Sequence, residues 1–90
     1  MGTCTHTDIV IPKYYNGKLV KSIRSGAFYY CSSLTSITIP SSVTSIGSGA
    51  FEYCIRLKSI IFNGTETEWN NIKKGMLWDK NTGNYIIIYS

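Results

Sequence analysis

The apolar positions of this chain recur at a fixed distance. Setting residues 20–39 against 43–62 brings Val20 onto Val43, Ile23 onto Ile46, Ala27 onto Ala50 and Phe28 onto Phe51. The same offset of 23 brings Cys31 onto Cys54, Leu34 onto Leu57 and Ile37 onto Ile60, while Ile39 meets Phe62. Twelve of the 20 aligned pairs are identical, and most apolar positions are among them, as a repeated core demands. The pattern also runs backwards. Ile9, Ile11 and Pro12 match Ile37, Ile39 and Pro40 once five extra residues are allowed in "KYYNGKLV". A fixed period within about 20–50 residues is the signature of a solenoid, in which each coil buries its apolar face only against its neighbours.

Within one coil, "LTSITI" (34–39) alternates around Leu34, Ile37 and Ile39, which predicts a short strand with one buried face. Pro40 ends it by removing a backbone donor. "VTSI" (43–46) predicts a second short extended piece with Val43 and Ile46 inward. The heptapeptides "SGAFYYC" (25–31) and "SGAFEYC" (48–54) predict a turn and an irregular or 3₁₀-like helical turn that seats Ala, Phe and Cys inside. Stacking then places Phe28 on Phe51, Cys31 on Cys54 and Leu34 on Leu57. After Phe62 the period stops. Thr65 followed by Glu68 fits a capping box, and a helix is expected over 66–74 with Trp69 and Ile72 on one face and Gly75 as its stop. Glu66 and Glu68 near its start and Lys73-Lys74 near its end suit the helix dipole. "GNYIIIYS" (83–90) reads as a final strand, and the two tryptophans, Trp69 and Trp78, as plugs for the core.

Composition narrows the class. Ninety residues at 43% apolar make one small domain with a thin core. No apolar run of about 18 residues occurs, so no membrane insertion is expected. Nine Lys and Arg stand against five Asp and Glu, spread along the chain with only Lys73-Lys74 adjacent. No arginine cluster alternates with aromatics, so nucleic acid is not an expected partner. Residues 1–8 lack the basic and apolar regions of a signal peptide and read as a disordered or expression-derived N-terminus. The cysteines repeat because the coil repeats, and buried thiols suit that position. Adjacent coils also bring Cys31 and Cys54 near enough for a disulfide, and metal binding is the third option. Cys4 is left over, and the single His6 supplies no ligand pair.

"IPSSVTSIGSGAFEYCIRLKSIIF" resembles the BspA-like, or Treponema pallidum-type, leucine-rich repeat. That repeat runs as Ile-Pro, Val-Thr-Ser-Ile-Gly, Ala-Phe, Cys, Leu and a closing Ile-x-Ile. The resemblance covers 9–62, about two and a half repeats. "DIVIPKYYNGKLVKSIRSGAF" resembles the longer coil that often opens such arrays, and the Trp69 region the segment that commonly follows the last coil. One departure is clear: Arg24 stands where the repeat usually has Gly, although Gly47 keeps it. The expected architecture is therefore a leucine-rich-repeat solenoid, its short strands stacked into a small parallel sheet with irregular turns on the other side. Residues 63–90 would form a C-terminal cap of helix and strand, covering the open end. The resemblance implies an extracellular or cell-surface location in a bacterium and a protein ligand, such as a host or neighbouring-cell surface.

No catalytic constellation is legible, and neither an enzyme nor a cofactor is expected. Glu66 and Glu68 are two apart on the expected helix and point apart, and the serines have no base nearby. Binding is expected on the outward row of the strands, Val10, Thr38 and Ile61, with Thr35 and Lys58 further back. Val10 and Ile61 are apolar where the pattern exposes them, which suits a contact surface and equally suits plain β-propensity. The insert places Tyr14 and Tyr15 beside an Asn16-Gly17 turn, either presented to a partner or folded back over the first coil. Asn63-Gly64-Thr65 matches a glycosylation sequon and is read as a turn. The alternative to adhesion is a structural role, a homo-oligomer formed through the exposed N-terminal coil end.

Overall fold

The computed structural model describes residues 7–90, so Cys4 and His6 lie outside the described residues. In chain order the elements are β1 (Asp8–Val10), β2 (Tyr14–Tyr15), β3 (Lys18–Leu19), β4 (Ser22–Ile23), β5 (Ser36–Pro40) and β6 (Ser45–Ile46). They continue with β7 (Ser59–Asn63), α1 (Glu66–Asn70), β8 (Lys73–Lys74) and β9 (Ile86–Tyr89). Each coil runs through a longer strand, a corner, a two-residue strand and a run of turns. The longer strands form a parallel sheet in the order β1-β5-β7-β9, and the short ones a second parallel sheet, β4-β6-β8. The chain is thus a β-solenoid of about three turns closed by a final strand. The large sheet begins at Asp8, and the Thr7 carbonyl accepts from the Thr35 and Ser36 amides, so the ladder takes in the last two residues assigned to the disordered terminus.

Register carries the repeat. Ser36 faces Ser59 across the large sheet and Ser22 faces Ser45 across the small one, both offsets of 23. Asp8 faces Ser36 and Ser45 faces Lys73, both offsets of 28. The extra residues enter at one corner, between a longer strand and the next short one. In the first coil they form the antiparallel hairpin β2–β3, with Asn16 at φ 52° and Gly17 at φ 77°, the left-handed pair of a two-residue hairpin turn. In the third they form α1. The middle coil turns the same corner tightly.

The core follows the register. Ile37 and Ile60 are fully buried between Ile9 and Ile87, and Ile39 and Phe62 lie side by side in the next inward row. Leu34, Val43, Ile46, Leu57, Cys31 and Cys54 are buried with them. The Phe28 and Phe51 rings stack 5.3 Å apart and within 4° of parallel, as the repeat predicts. The Cys54 thiol donates to the Phe28 carbonyl at 3.1 Å. Among the described residues no disulfide joins Cys31 to Cys54.

The heptapeptides form neither strand nor α-helix. Their N–H groups are used alternately. Ala27, Tyr29 and Cys31 donate to carbonyls three residues back, while Gly26, Phe28 and Tyr30 donate forward to Ser48, Ala50 and Glu52 of the next coil. Gly49, Phe51 and Tyr53 donate in turn to Met76, Trp78 and Lys80. Left-handed residues recur in step: Gly26, Gly49 and Leu77 at one position, Tyr30, Tyr53 and Asn81 at another. The segment expected as a cap is therefore also a third coil, although its residues no longer resemble the first two.

The helix is shorter than the expected 66–74. Its start is as read: Glu68 N–H donates to Thr65 Oγ1 at 3.1 Å and Thr65 N–H to Glu68 Oε1 at 2.9 Å. It ends at Asn70, because Lys73 and Lys74 are drawn into β8 beside β6. Trp69 and Ile72 are buried against the core, as read, and Trp78 is half-buried between Phe51 and Trp69. Lys74 still serves the helix end, donating from Nζ to the Trp69 carbonyl at 3.0 Å with its ammonium 4.7 Å from the Trp69 ring centre. Burial lowers the Lys74 pKa, and Asp79 pulls the other way.

Gly75 is not a helix stop but a point of close approach. A Cβ there would lie 2.5 Å from the Ser48 nitrogen, and one on Gly47 would lie 2.3 Å from the Ser25 nitrogen. Each coil needs glycine where its backbone passes the coil in front. Arg24 occupies the equivalent position in the first coil, where no described residue stands in front. Gly47→Ala is expected to lower stability by about 3 kcal/mol, at the upper end of overpacking costs. Arg24→Gly should change it by no more than about 1 kcal/mol. Chemical denaturation of both variants checks the contrast, and equal effects would contradict it.

Candidate functional site

Alternation sends every second side chain of the large sheet outward. The register lines these up in rows across the strands. Val10 faces Thr38, Thr38 faces Ile61, and Ile61 faces Ile88. With neighbouring strands about 4.8 Å apart, the row spans roughly 14 Å. Val10 is 71% exposed and Ile88 41%, while Thr38 and Ile61 between them are half-buried. A second row runs Asp8, Ser36, Ser59 and Ile86, with the Ser36 hydroxyl donating to the Asp8 carboxylate. The face is apolar towards its C-terminal side and polar towards the other.

Val10, Thr38 and Ile61 thus stand together as expected, joined by Ile88. Lys58 lies apart from the row. Its amide donates to the Thr35 carbonyl at 2.8 Å, and its side chain lines an open cleft of about 480 Å³ with Thr35, Arg56 and Asn84. Tyr14 and Tyr15 are 61% and 68% exposed, so they do not fold back over the first coil. Their strand β2 pairs with β3 alone and joins neither larger sheet, which separates them from the sheet row. Among the described residues no three His, Cys, Asp or Glu side chains come together to hold a metal, and no helix is long and apolar enough to cross a membrane.

Two surface features escape the sequence reading. Ile86 and Ile88 lie in "IIIY", an unbroken apolar run in which no alternation marks the outward residues. The exposed Tyr29 and Tyr30 and the half-buried Tyr53 form a cluster on the turn side. Tyr30 and Tyr53 stack 4.9 Å apart, and Tyr29 meets both edge-on. The offset of 23 that pairs Tyr30 with Tyr53 carried that signal. Partial desolvation by its neighbours and nearby Glu52 raise the Tyr29 pKa.

The outer strand of the row is anchored just before it starts. The Tyr85 phenol donates to Asp79 Oδ2 at 2.7 Å and packs against Trp78, fixing the chain as it enters β9. Burial first, and then the Asp79 carboxylate, push the Tyr85 pKa well above the ordinary 10.0. Because the folded pKa is raised, this contribution to stability is full below the unfolded value and is lost as pH climbs through the folded one. Tyr85→Phe should therefore lower stability at neutral pH and flatten its decline above about pH 10. Melting curves across the alkaline range check this; parallel declines in both proteins would contradict it.

A sequence model for the BspA type leucine rich repeat region, itself described as spanning six copies of the repeat, matches residues 2–88. It extends past both ends of the 9–62 segment in which the period is legible, in keeping with a third coil built by residues 63–90. Searches of the curated proteins and of the solved structures found no match.

Proposed function

The chain belongs to the BspA-type leucine-rich repeat family, and on that premise we propose that it is an adhesion module of a bacterial secreted or surface protein. Repeats of this family generally serve as protein-binding scaffolds rather than catalysts and are typical of surface or secreted proteins. The ligand is a protein on a host or neighbouring cell, taken on the outward face of the large sheet. What supports the face is the row Val10, Thr38, Ile61 and Ile88, three of its four residues apolar on a surface no other described element covers. Scattered exposed apolar residues need no explanation, whereas three apolar residues aligned in one row across a sheet face support a contact surface. The Tyr14-Tyr15 hairpin adds a separate contact at the first corner, since exposed tyrosines are favoured at interfaces.

Beads coated with the protein should adhere to cultured epithelial cells or to neighbouring bacteria above albumin-coated controls. Ile61→Glu should cut that adhesion roughly tenfold, as loss of a central contact does, while circular dichroism shows the variant still folded at the assay temperature. Adhesion no better than albumin on either cell type, or full adhesion by the variant, would sink the reading.

A further inference from the structure

All five carboxylates lie at Asp8, Glu52, Glu66, Glu68 and Asp79, so none occurs from residue 9 to residue 51. That span carries four cations: Lys13, Lys18, Lys21 and Arg24. Three of them, Lys18, Lys21 and Arg24, line one open groove of about 440 Å³ with Tyr15, Leu19 and Ser22. The groove lies between the hairpin and β4 at the N-terminal end of the solenoid. Among the described residues none of the three cations makes an ion pair or a side-chain hydrogen bond. They are a local excess of positive charge that no described residue offsets.

The groove also offers backbone. The Lys21 and Ile23 carbonyls accept from Thr44 and Gly47 of the next coil. Strand alternation therefore turns the N–H and C=O of Ser22 the other way, into the groove, where no described residue meets them. A further coil of the same path does not fit here. The glycine that such stacking requires is replaced by Arg24, whose Cβ stands where the backbone of a coil in front would pass. That speaks against self-association by coil-on-coil stacking at this corner.

We infer that this groove binds an extended acidic segment of a partner polypeptide. The segment lies beside β4, exchanges backbone hydrogen bonds with Ser22, and turns away before Arg24. Its carboxylates meet Lys18 and Lys21 and are held by the Arg24 guanidinium, whose planar fork matches a carboxylate. Tyr15 and Leu19 supply the apolar contacts between them. A polypeptide is favoured over nucleic acid because the unpaired strand edge asks for backbone partners. A single tyrosine and a single arginine also make no stacking platform for successive bases. The site is separate from the sheet face and stands whether or not that face binds.

The test is fluorescence anisotropy at low salt with a fluorescein-labelled peptide of alternating glutamate and serine. Binding is expected to weaken roughly tenfold in the exposed double variant Lys21→Glu/Arg24→Glu, and by less than about twofold in Arg56→Glu/Lys80→Glu, an equal charge change elsewhere. Equal losses in the two variants would reduce the effect to net charge and overturn the proposal. So would the absence of peptide binding, or tighter binding of an oligothymidylate or heparin fragment at the same salt. Because Val10, Thr38, Ile61 and Ile88 are untouched, the outcome is independent of cell adhesion through the sheet.

Discussion

Backbone hydrogen bonding from one coil to the next is the constraint on which the rest of this molecule depends. It acts in both parallel sheets and again in the turns, where Gly26, Phe28 and Tyr30 reach Ser48, Ala50 and Glu52. A coil bonded this way on three sides cannot slip relative to its neighbour. The side chains are then committed: Ile37 must lie on Ile60, and the Phe28 ring on the Phe51 ring. No single coil could bury these residues alone, so packing and backbone register stabilise each other.

Length changes are absorbed where that constraint is weakest. Both insertions, the hairpin at β2–β3 and the helix α1, leave the large sheet after a longer strand and return in time for the short one. The sheets on either side keep their register, at offsets of 28 instead of 23. The third coil goes further and keeps the path with few of the residues. Leu77 and Asn81 adopt the left-handed conformations of Gly49 and Tyr53, and Lys74 takes the position of Ile46. Holding a leucine left-handed costs about 1–3 kcal/mol of strain, offset here by the ladder to Gly49 and Phe51.

Where residues recur, the fold was legible. The offset between Phe28 and Phe51 foretold a ring stack, Thr65 with Glu68 a helix start, and Asn16-Gly17 a turn. Where the path is kept without the residues, it was not. Nothing in "GMLWDKNTG" resembles "SGAFEYC", so the third coil was visible only as an end to the period. Lys73 and Lys74 fit the charge pattern of a helix terminus, but pairing with β6 outweighs a dipole contribution of a few tenths of a kcal/mol to about 1 kcal/mol. On the binding face Val10, Thr38 and Ile61 could be named because alternation marks them, whereas Ile88 could not. The groove lies beyond such patterns altogether. Lys18, Lys21 and Arg24 look like ordinary surface charge until the corner brings them together.

The shared corner has a consequence for how such a protein changes over time. A segment of any length that begins and ends there leaves both sheets and the turn ladder untouched. The middle coil turns it in two residues, Ser41 and Ser42, and the buried Ser42 hydroxyl meets no partner among the described residues, so that turn carries little that a replacement would lose. A loop grafted at this site would stand between the hairpin and the helix, three variable segments side by side on one rigid frame. Recognition could then diversify by insertion and deletion alone, with the core left as it is.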